Sequence, residues 1–316
     1  MSYVLLAIGI VLLFGGGELL VRGAVAVANR AGISPLLVGM TIVAACTSAP
    51  ELVVSIGAAM RGSSDIAIGN VIGSNTFNVM AVIGISALIA PIAVDPRGLR
   101  RDSLWMLVAS VATVALVMVG VIDRVPGVLM LIALVAYVWT SYRREMREVE
   151  EEDPAARVHR HEAEEIEGPD KLATSIGFLI GGLAALVIGA EFLVRGATDI
   201  AQSWGVPEAV IGLTVVAAGT SLPELATSVV AAFRGHSDVA VGNVVGSNLF
   251  NLLGILGLTA IVRPVHVAPQ IASLDIWVML AVSVLLALLL TTRGRVGRLV
   301  GSGMIVLYIG YLVVLF

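Results

Sequence analysis

GMTIVAACTSAPELVVSIGAAMRGSSDIAIGNVIGSNTFN, residues 39–78, is answered 173 positions later by GLTVVAAGTSLPELATSVVAAFRGHSDVAVGNVVGSNLFN, residues 212–251. The two align without a gap, and 26 of their 40 positions are identical. Each copy sets one glutamate, Glu51 or Glu224, inside a long apolar segment. An acid at membrane depth is costly, so its presence in both copies points to a task and not only to packing.

The rest of the chain fits that setting. It is 58% hydrophobic and only 13% charged, where soluble domains carry about a quarter charged residues. Mean hydropathy is +0.99. Apolar runs of about 20 residues recur along the length, each sufficient to cross about 30 Å of hydrocarbon. The runs are continuous rather than alternating, which argues against a β-barrel. The pattern predicts an all-α polytopic membrane protein with ten transmembrane helices, near residues 3–28, 33–60, 66–91, 102–121, 125–142, 173–200, 206–233, 238–262, 272–291 and 297–315. Five precede a charged segment and five follow it, so the two copies enter the membrane from opposite sides. That makes two inverted-topology repeats of five helices, an architecture typical of secondary transporters. The expected division is a first membrane repeat at 1–142, a charged linker at 143–171 and a second membrane repeat at 172–316.

Loop charge sets the orientation. With the N-terminus outside, 14 of the 19 Lys and Arg residues fall in inner loops: Arg30; Arg97, Arg100 and Arg101; Arg143, Arg144, Arg147, Arg157, Arg160 and Lys171; Arg234; Arg293, Arg295 and Arg298. Only Arg61, Arg124 and Arg263 fall outside, and Arg22 and Arg195 lie within helices. The prediction is a multi-pass protein with both termini outside and a cytoplasmic linker. Compact size and a short linker point to the plasma membrane of a bacterium or archaeon. The linker, with EVEEED at 148–153 and HRHEAEEIE at 159–167, reads as a solvated, partly helical connector without EF-hand spacing. The opening MSYVLLAIGIVLLF lacks a basic n-region and an A-x-A site, so it reads as a retained first helix. The single cysteine, Cys46, excludes an internal disulfide. No basic patch suggests a nucleic-acid partner. The expected partners are membrane lipid and transported cations; the oligomeric state is left open, and a monomer is compatible.

Within each repeat the first motif is T-S-x-P-E, at Thr47–Glu51 and Thr220–Glu224. A helical proline offers no N–H to the carbonyl four residues back, and its ring pushes that carbonyl away. Pro50 is therefore expected to free the carbonyl of Cys46 and loosen that of Thr47; Pro223 does the same to Gly219 and Thr220. Unpaired carbonyls at membrane depth are tolerated only where they line a polar cavity. Here they sit beside two hydroxyls and a carboxylate, which are hard ligands suited to Na⁺ and Ca²⁺. A buried glutamate near a helix centre costs roughly 2.5–3.5 kcal/mol or more. Two of them, at equivalent places in an inverted repeat, meet at the midplane and supply the two charges a divalent cation needs. One copy alone also admits a lesser reading, a prolyl kink with a glutamate hydrogen-bonded or paired to arginine; two copies together argue against it.

The second motif is G-N-V-x-G-S-N-x-F-N, at Gly69–Asn78 and Gly242–Asn251. Gly69/Gly73 and Gly242/Gly246 are small-xxx-small pairs that let helices approach. Ser74 and Asn78 share one helical face, as do Ser247 and Asn251. They are expected to join helices and also to line the ion path. A further duplicated pair, Glu18/Arg22 and Glu191/Arg195, has the favourable i,i+4 order and reads as a self-neutralising ion pair near the interface. His159, His161, His236 and His266 lie in loops or at helix ends, which leaves a histidine proton relay unsupported. There is no nucleophile–base–orienter set; Ser48 and Ser221 have a glutamate nearby but no partner base. Neither an enzyme nor a cofactor is expected.

These residues resemble the α-repeats of the cation/Ca²⁺ exchanger superfamily, specifically the sodium/calcium exchanger family with its bacterial and archaeal members. The resemblance covers nearly the whole chain. It implies a secondary-active antiporter that exchanges Ca²⁺ for Na⁺ by alternating access, with ion sites clustered between the second, third, seventh and eighth helices. It implies Glu51 and Glu224 as central Ca²⁺ ligands, with the backbone carbonyls of Thr47 and Thr220. It implies Na⁺ sites built from Ala44, Thr47, Ser48, Glu51 and Ser74 on one side and Ala217, Thr220, Ser221, Glu224 and Ser247 on the other. The implied gate is a sliding of the first and sixth helices across the other eight, to which the glycines of the first helix are suited. Two departures stand out. Many sodium/calcium exchangers have an aspartate where this chain has Asn251, so with Asn78 opposite the site holds two carboxylates, not three. Cys46 replaces the usual glycine that Gly219 retains, and its side chain is expected to crowd that face. The competing readings are a Ca²⁺/H⁺ or other cation/H⁺ antiporter, since two close carboxylates can share a proton; a passive cation channel; and a membrane scaffold without transport.

Overall fold

The computed structural model describes residues 2–94, 96–151, 171–205 and 217–315. Its long elements are helices: α1 Ser2–Ala31, α2 Pro35–Thr47, α3 Ala49–Met60, α4 Ser64–Ile89, α5 Pro96–Val119 and α6 Arg124–Glu151. They are followed by α7 Leu172–Ser203, α8 Leu222–Phe233, α9 Ser237–Val262, α10 Ile271–Arg293 and α11 Arg298–Leu315. Among the described residues, eight helices are long and apolar enough to cross a membrane. A ninth is counted when α2 and α3, bent by 44° at their junction, are taken as one broken span. The chain is a predominantly helical, polytopic membrane protein. The span expected at 206–233 starts in residues 206–216, outside the described set; its described part comprises one helical turn, Ala217–Gly219, and the 12-residue apolar α8. Most of the expected linker, with His159 and His161, also lies outside the described residues.

Local chemistry explains the helix ends. Ser34 Oγ accepts the Leu37 N–H at 3.2 Å, and Pro35 comes next, where its missing N–H costs nothing. Past α3, Gly62 takes φ +85°, and Ser63 N–H reaches back to Ala58 O at 2.9 Å. Past α8, Gly235 takes φ +82°, and His236 N–H reaches Ala231 O at 2.8 Å. A left-handed glycine closing the last turn in this way is a common helix stop.

Two features differ from the sequence expectation. α6 runs on to Glu151, well past residue 142, because REMREVEE is built of good helix formers; hydropathy marks the edge of the membrane and not the edge of the helix. The chain is also not purely helical. Among the described residues, four two-residue strands, β1 Ile92–Ala93, β2 Val121–Ile122, β3 Val265–His266 and β4 Arg295–Val296, form two antiparallel ribbons, β1 with β4 and β2 with β3.

The longest helix–helix contact is between α1 and α7, which run antiparallel. Gly9, Gly16 and Gly23 face Gly189, Gly182 and Ser175. A Cβ placed on Gly16 would sit 2.8 Å from Gly182 O, and one on Gly9 would sit 2.8 Å from Gly189 O. The two backbones therefore touch, as small residues permit in a membrane. α1, α2, α7 and α8 share one apolar core, containing Leu20, Val25, Val43, Leu186 and Ala231. α4, α5, α6, α9, α10 and α11 share a larger one, containing Ile72, Met106, Tyr137, Leu252, Met279 and Met304. α4 and α9 are the most enclosed spans, each 78% buried. Gly242 and Gly246 of α9 press on the backbone of α2 at Leu36 and Met40. Gly73 meets nothing within 4 Å among the described residues; the positions 173 beyond Leu36 and Met40 lie outside that set.

Candidate functional site

The helices of the first motif break where the prolines require it. Ser48 leaves the helical track at φ −80°, ψ 4°, and Ser221 does so at φ −93°, ψ 8°. Pro50 and Pro223 then occupy the opening turn of α3 and α8, where an absent N–H is harmless. Glu51 and Glu224 sit in the same first turn. There the positive end of the helix dipole favours a carboxylate. Both are completely buried.

The two motifs cross. Ser48 Oγ donates to Glu224 Oε1 at 3.2 Å, and Ser221 Oγ donates to Glu51 Oε1 at 2.9 Å. Thr47 Oγ1 donates to Asn243 Oδ1 at 3.0 Å, and Thr220 Oγ1 to Asn70 Oδ1 at 3.5 Å. Each bond in these pairs becomes the other when 173 is added to one partner and subtracted from the other. Ser74 Oγ lies 3.2 Å from Ser221 Oγ, and Ser247 Oγ lies 3.4 Å from Thr47 Oγ1. Asn78 and Asn251 are buried beside them, each in a widened π-type turn, Asn78–Val82 and Phe250–Ile255. Such turns are frequent at functional sites. Ala44 is buried, and its carbonyl accepts the Ser48 N–H at 3.0 Å and the Thr47 hydroxyl at 3.4 Å. Ala217 opens the helical turn before Thr220; its side chain is outside the described set. Cys46 is half-buried against the α1–α7 core, while Gly219 abuts Val194 so closely that a Cβ has no room.

Four oxygens in this cluster are buried without any hydrogen-bond partner: Oε2 of Glu51, Oε2 of Glu224, Oδ1 of Asn78 and Oδ1 of Asn251. Leaving one such acceptor unpaired costs about 1–3 kcal/mol, and more when it is charged. The bonded oxygens of Glu51 and Glu224 take serine hydroxyls, not arginine, so the structure does not favour a buried glutamate–arginine pair. Two carboxyl groups, two amide oxygens and surrounding hydroxyls are hard oxygen donors, which carry two negative charges when both acids are ionised. That donor set fits Na⁺ or Ca²⁺. No cluster of three or more His, Cys, Asp or Glu occurs among the described residues, which leaves no second ligand set of the softer kind.

Several residues at this centre were not singled out from the sequence. Asn70 Nδ2 donates to the Glu51 carbonyl at 3.2 Å and to Ser55 Oγ at 2.9 Å. Asn243 Nδ2 does the same to the Glu224 carbonyl at 3.3 Å and to Ser228 Oγ at 2.9 Å. They tie α4 to α3 and α9 to α8 at the backbone of the two acids. The signal was available: Asn70, Ser74 and Asn78 are four apart and share one face. Asn75 and Asn248 also enter the cluster. The pair Glu18/Arg22 is not self-contained: besides Arg22 at 2.6 Å, Glu18 binds Arg234 at 2.5 Å. Glu191 holds Arg195 at 2.5 Å.

Comparison with known proteins places this architecture. Residues 1–143 and 174–316 match the family described as Sodium/calcium exchanger protein. The chain is 35% identical over 317 residues to the CaxA protein of Alkalimonas amylolytica, covering 98% of this chain and 97% of that one. It is 32% identical over 352 residues to the sodium/calcium exchanger MaX1 of Methanosarcina acetivorans, covering 100% of this chain and 98% of that one. A solved structure of the sodium-calcium exchanger NCX_Mj, soaked with zero Na⁺ and Ca²⁺, superimposes with a TM-score of 0.84 at 30% identity, covering 100% of this chain and 99% of that one.

Proposed function

The chain belongs to the sodium/calcium exchanger family, and on that premise we propose that it exchanges Ca²⁺ for Na⁺ across the membrane by alternating access. One observation carries the proposal. Two buried carboxylates, held by serines donated across the repeat, each keep one oxygen free of any protein partner, and the buried amide oxygens of Asn78 and Asn251 are free as well. A site with that charge and those open acceptors is built for a cation.

In this reading Ca²⁺ lies between Glu51 and Glu224, with the carbonyls of Thr47 and Thr220. Na⁺ uses Ala44, Thr47, Ser48, Glu51 and Ser74 on one side, and Ala217, Thr220, Ser221, Glu224 and Ser247 on the other. Asn78 and Asn251 contribute their open oxygens at the centre. Because Ca²⁺ and Na⁺ compete for the same two carboxylates, loading one displaces the other. The α1–α7 pair, joined at its glycines, is the element that slides to expose the site to one side at a time.

The same reading assigns ten spans, as inverted repeats of five at 1–142 and 172–316 around a cytoplasmic linker at 143–171, with both termini outside. The ribbons support it. β1 and β3 are 173 residues apart, yet β1 pairs with β4, and β3 pairs with β2. Loops that correspond in sequence thus occupy different ribbons, as expected when one half is turned over relative to the other. The basic loops support the orientation, and a plasma membrane location accords with it.

The test is ⁴⁵Ca²⁺ uptake into proteoliposomes loaded with Na⁺ and diluted into Na⁺-free or Na⁺-matched buffer, with a pH-gradient arm beside them. Uptake driven by the outward Na⁺ gradient is the expected result. Uptake that tracks the pH gradient and ignores Na⁺ would reassign the protein to cation/H⁺ exchange. Flux that tracks voltage without any counter-ion would make it a channel.

A further inference from the structure

An asparagine beside an ion can present either its oxygen or its NH₂ group, and only the oxygen helps a cation. Asn78 and Asn251 are both fully buried, so their polarity is set by what lies behind them. Asn78 Nδ2 donates to Asn248 Oδ1 at 3.4 Å. Asn251 Nδ2 donates to Asn75 Oδ1 at 3.0 Å. These two bonds occupy both NH₂ groups and leave both Oδ1 atoms buried without a partner.

Asn75 and Asn248 are fixed in turn by groups that only accept. Asn75 Nδ2 faces the Asn248 backbone carbonyl at 3.3 Å and Met279 Sδ at 3.9 Å. Asn248 Nδ2 faces Met106 Sδ at 3.7 Å. The Asn248 backbone carbonyl takes a donor, which turns the NH₂ end of Asn75 backward and its oxygen forward; Met106 Sδ, a weak acceptor, favours the same sense at Asn248. The forward oxygen then needs a donor, which residue 251 or 78 must supply. Polarity propagates along the chain of amides from the methionines to the ion site.

We propose that Asn75 and Asn248 are positioning residues that lock the amides of Asn251 and Asn78 with their oxygens toward the cation. The lock restricts positions 78 and 251 to neutral side chains, so the site carries the charge of Glu51 and Glu224 alone. This rests on the exchange reading of the site. A carboxylate at 251 would set an acceptor against the Asn75 oxygen, which is repulsive unless Asn75 turns over and abandons the Asn248 carbonyl.

The test is a double-mutant cycle on purified protein, read as Ca²⁺ binding by calorimetry, with thermal unfolding to confirm folding. In the native background Asn251→Asp is expected to weaken binding despite the added negative charge. Asn75→Ala alone is expected to weaken it by about tenfold, the loss of one oriented acceptor. In the Asn75→Ala background the sign reverses, and Asn251→Asp strengthens binding. A merely structural role for Asn75 would lower stability without reversing that sign. Asn248→Ala with Asn78→Asp runs the same cycle from the other half where Asn75→Ala does not fold. Additive effects, or Asn251→Asp strengthening binding in the native background, would overturn the lock. Native protein that binds no Ca²⁺ would overturn the exchange reading as well, whereas native binding with an additive cycle would overturn the lock alone.

Discussion

Replacing Glu51 by glutamine keeps the shape of the side chain and removes one of the site's two charges. The Ser221 hydroxyl, 2.9 Å from Oε1, still finds an acceptor in the amide oxygen. The atom that changes is Oε2, the open one. It becomes an NH₂ group, so on the proposed mechanism a donor faces the cation where an acceptor stood. Removing one partner of a buried charge pair costs about 3–5 kcal/mol, or roughly two to four orders of magnitude in Ca²⁺ affinity. The empty protein responds in the opposite sense, because it no longer buries an uncompensated carboxylate oxygen. Glu51→Gln and Glu224→Gln are therefore expected to abolish Na⁺-driven ⁴⁵Ca²⁺ uptake while melting no earlier than the native protein in ion-free buffer. Ca²⁺ binding within threefold of native in either variant would refute the reasoning, as would a lowered melting temperature accompanied by normal transport.

The packing makes two further outcomes testable. Gly16→Ala puts a Cβ 2.8 Å from the Gly182 carbonyl, so α1 and α7 must separate; a destabilisation of about 1–3 kcal/mol and slowed exchange are expected by thermal unfolding and ⁴⁵Ca²⁺ flux, whereas Gly15→Ala, with nothing within 4 Å, serves as the silent control. Arg234→Glu sets two acids together in place of the Arg234–Glu18 pair; it is expected to slow exchange, and the charge swap with Glu18→Arg is expected to restore part of the rate in the same flux assay.

Much of the site was legible because it is written twice. Pro50 and Pro223 mark the breaks at Ser48 and Ser221, and the two acids occupy the next turn, as the motif implied. The crossing of Ser48 to Glu224 was not legible, since nothing in either copy says which hydroxyl faces which acid. Asn75 and Asn248 were not legible because they lie off the faces shared by Ser74 with Asn78 and Ser247 with Asn251, and bond across to the opposite helix. The ribbons were hidden for a different reason: two residues such as Ile92 and Ala93 carry no periodicity. Arg234 lies 216 residues from Glu18, so no local pattern links them, and the sequence pairs the acid only with its i,i+4 neighbour.

The crossed serines have a consequence for direction. Where the serine–glutamate and threonine–asparagine bonds of a binding shell map onto each other when its halves are interchanged, little in them marks a front or a back, so on the proposed mechanism its two access states differ little in energy at the ions. Such a device is a reversible valve and not a rectifier: the gradients of Na⁺ and Ca²⁺, together with voltage, decide which way it runs. Any built-in preference must come from places where the duplication fails. Cys46 opposite Gly219 is one. The second arginine held by Glu18 differs in kind: Arg61 and Glu191 stand at the positions equivalent to Arg234 and Glu18, so that contact is an asymmetry of conformation and not of sequence.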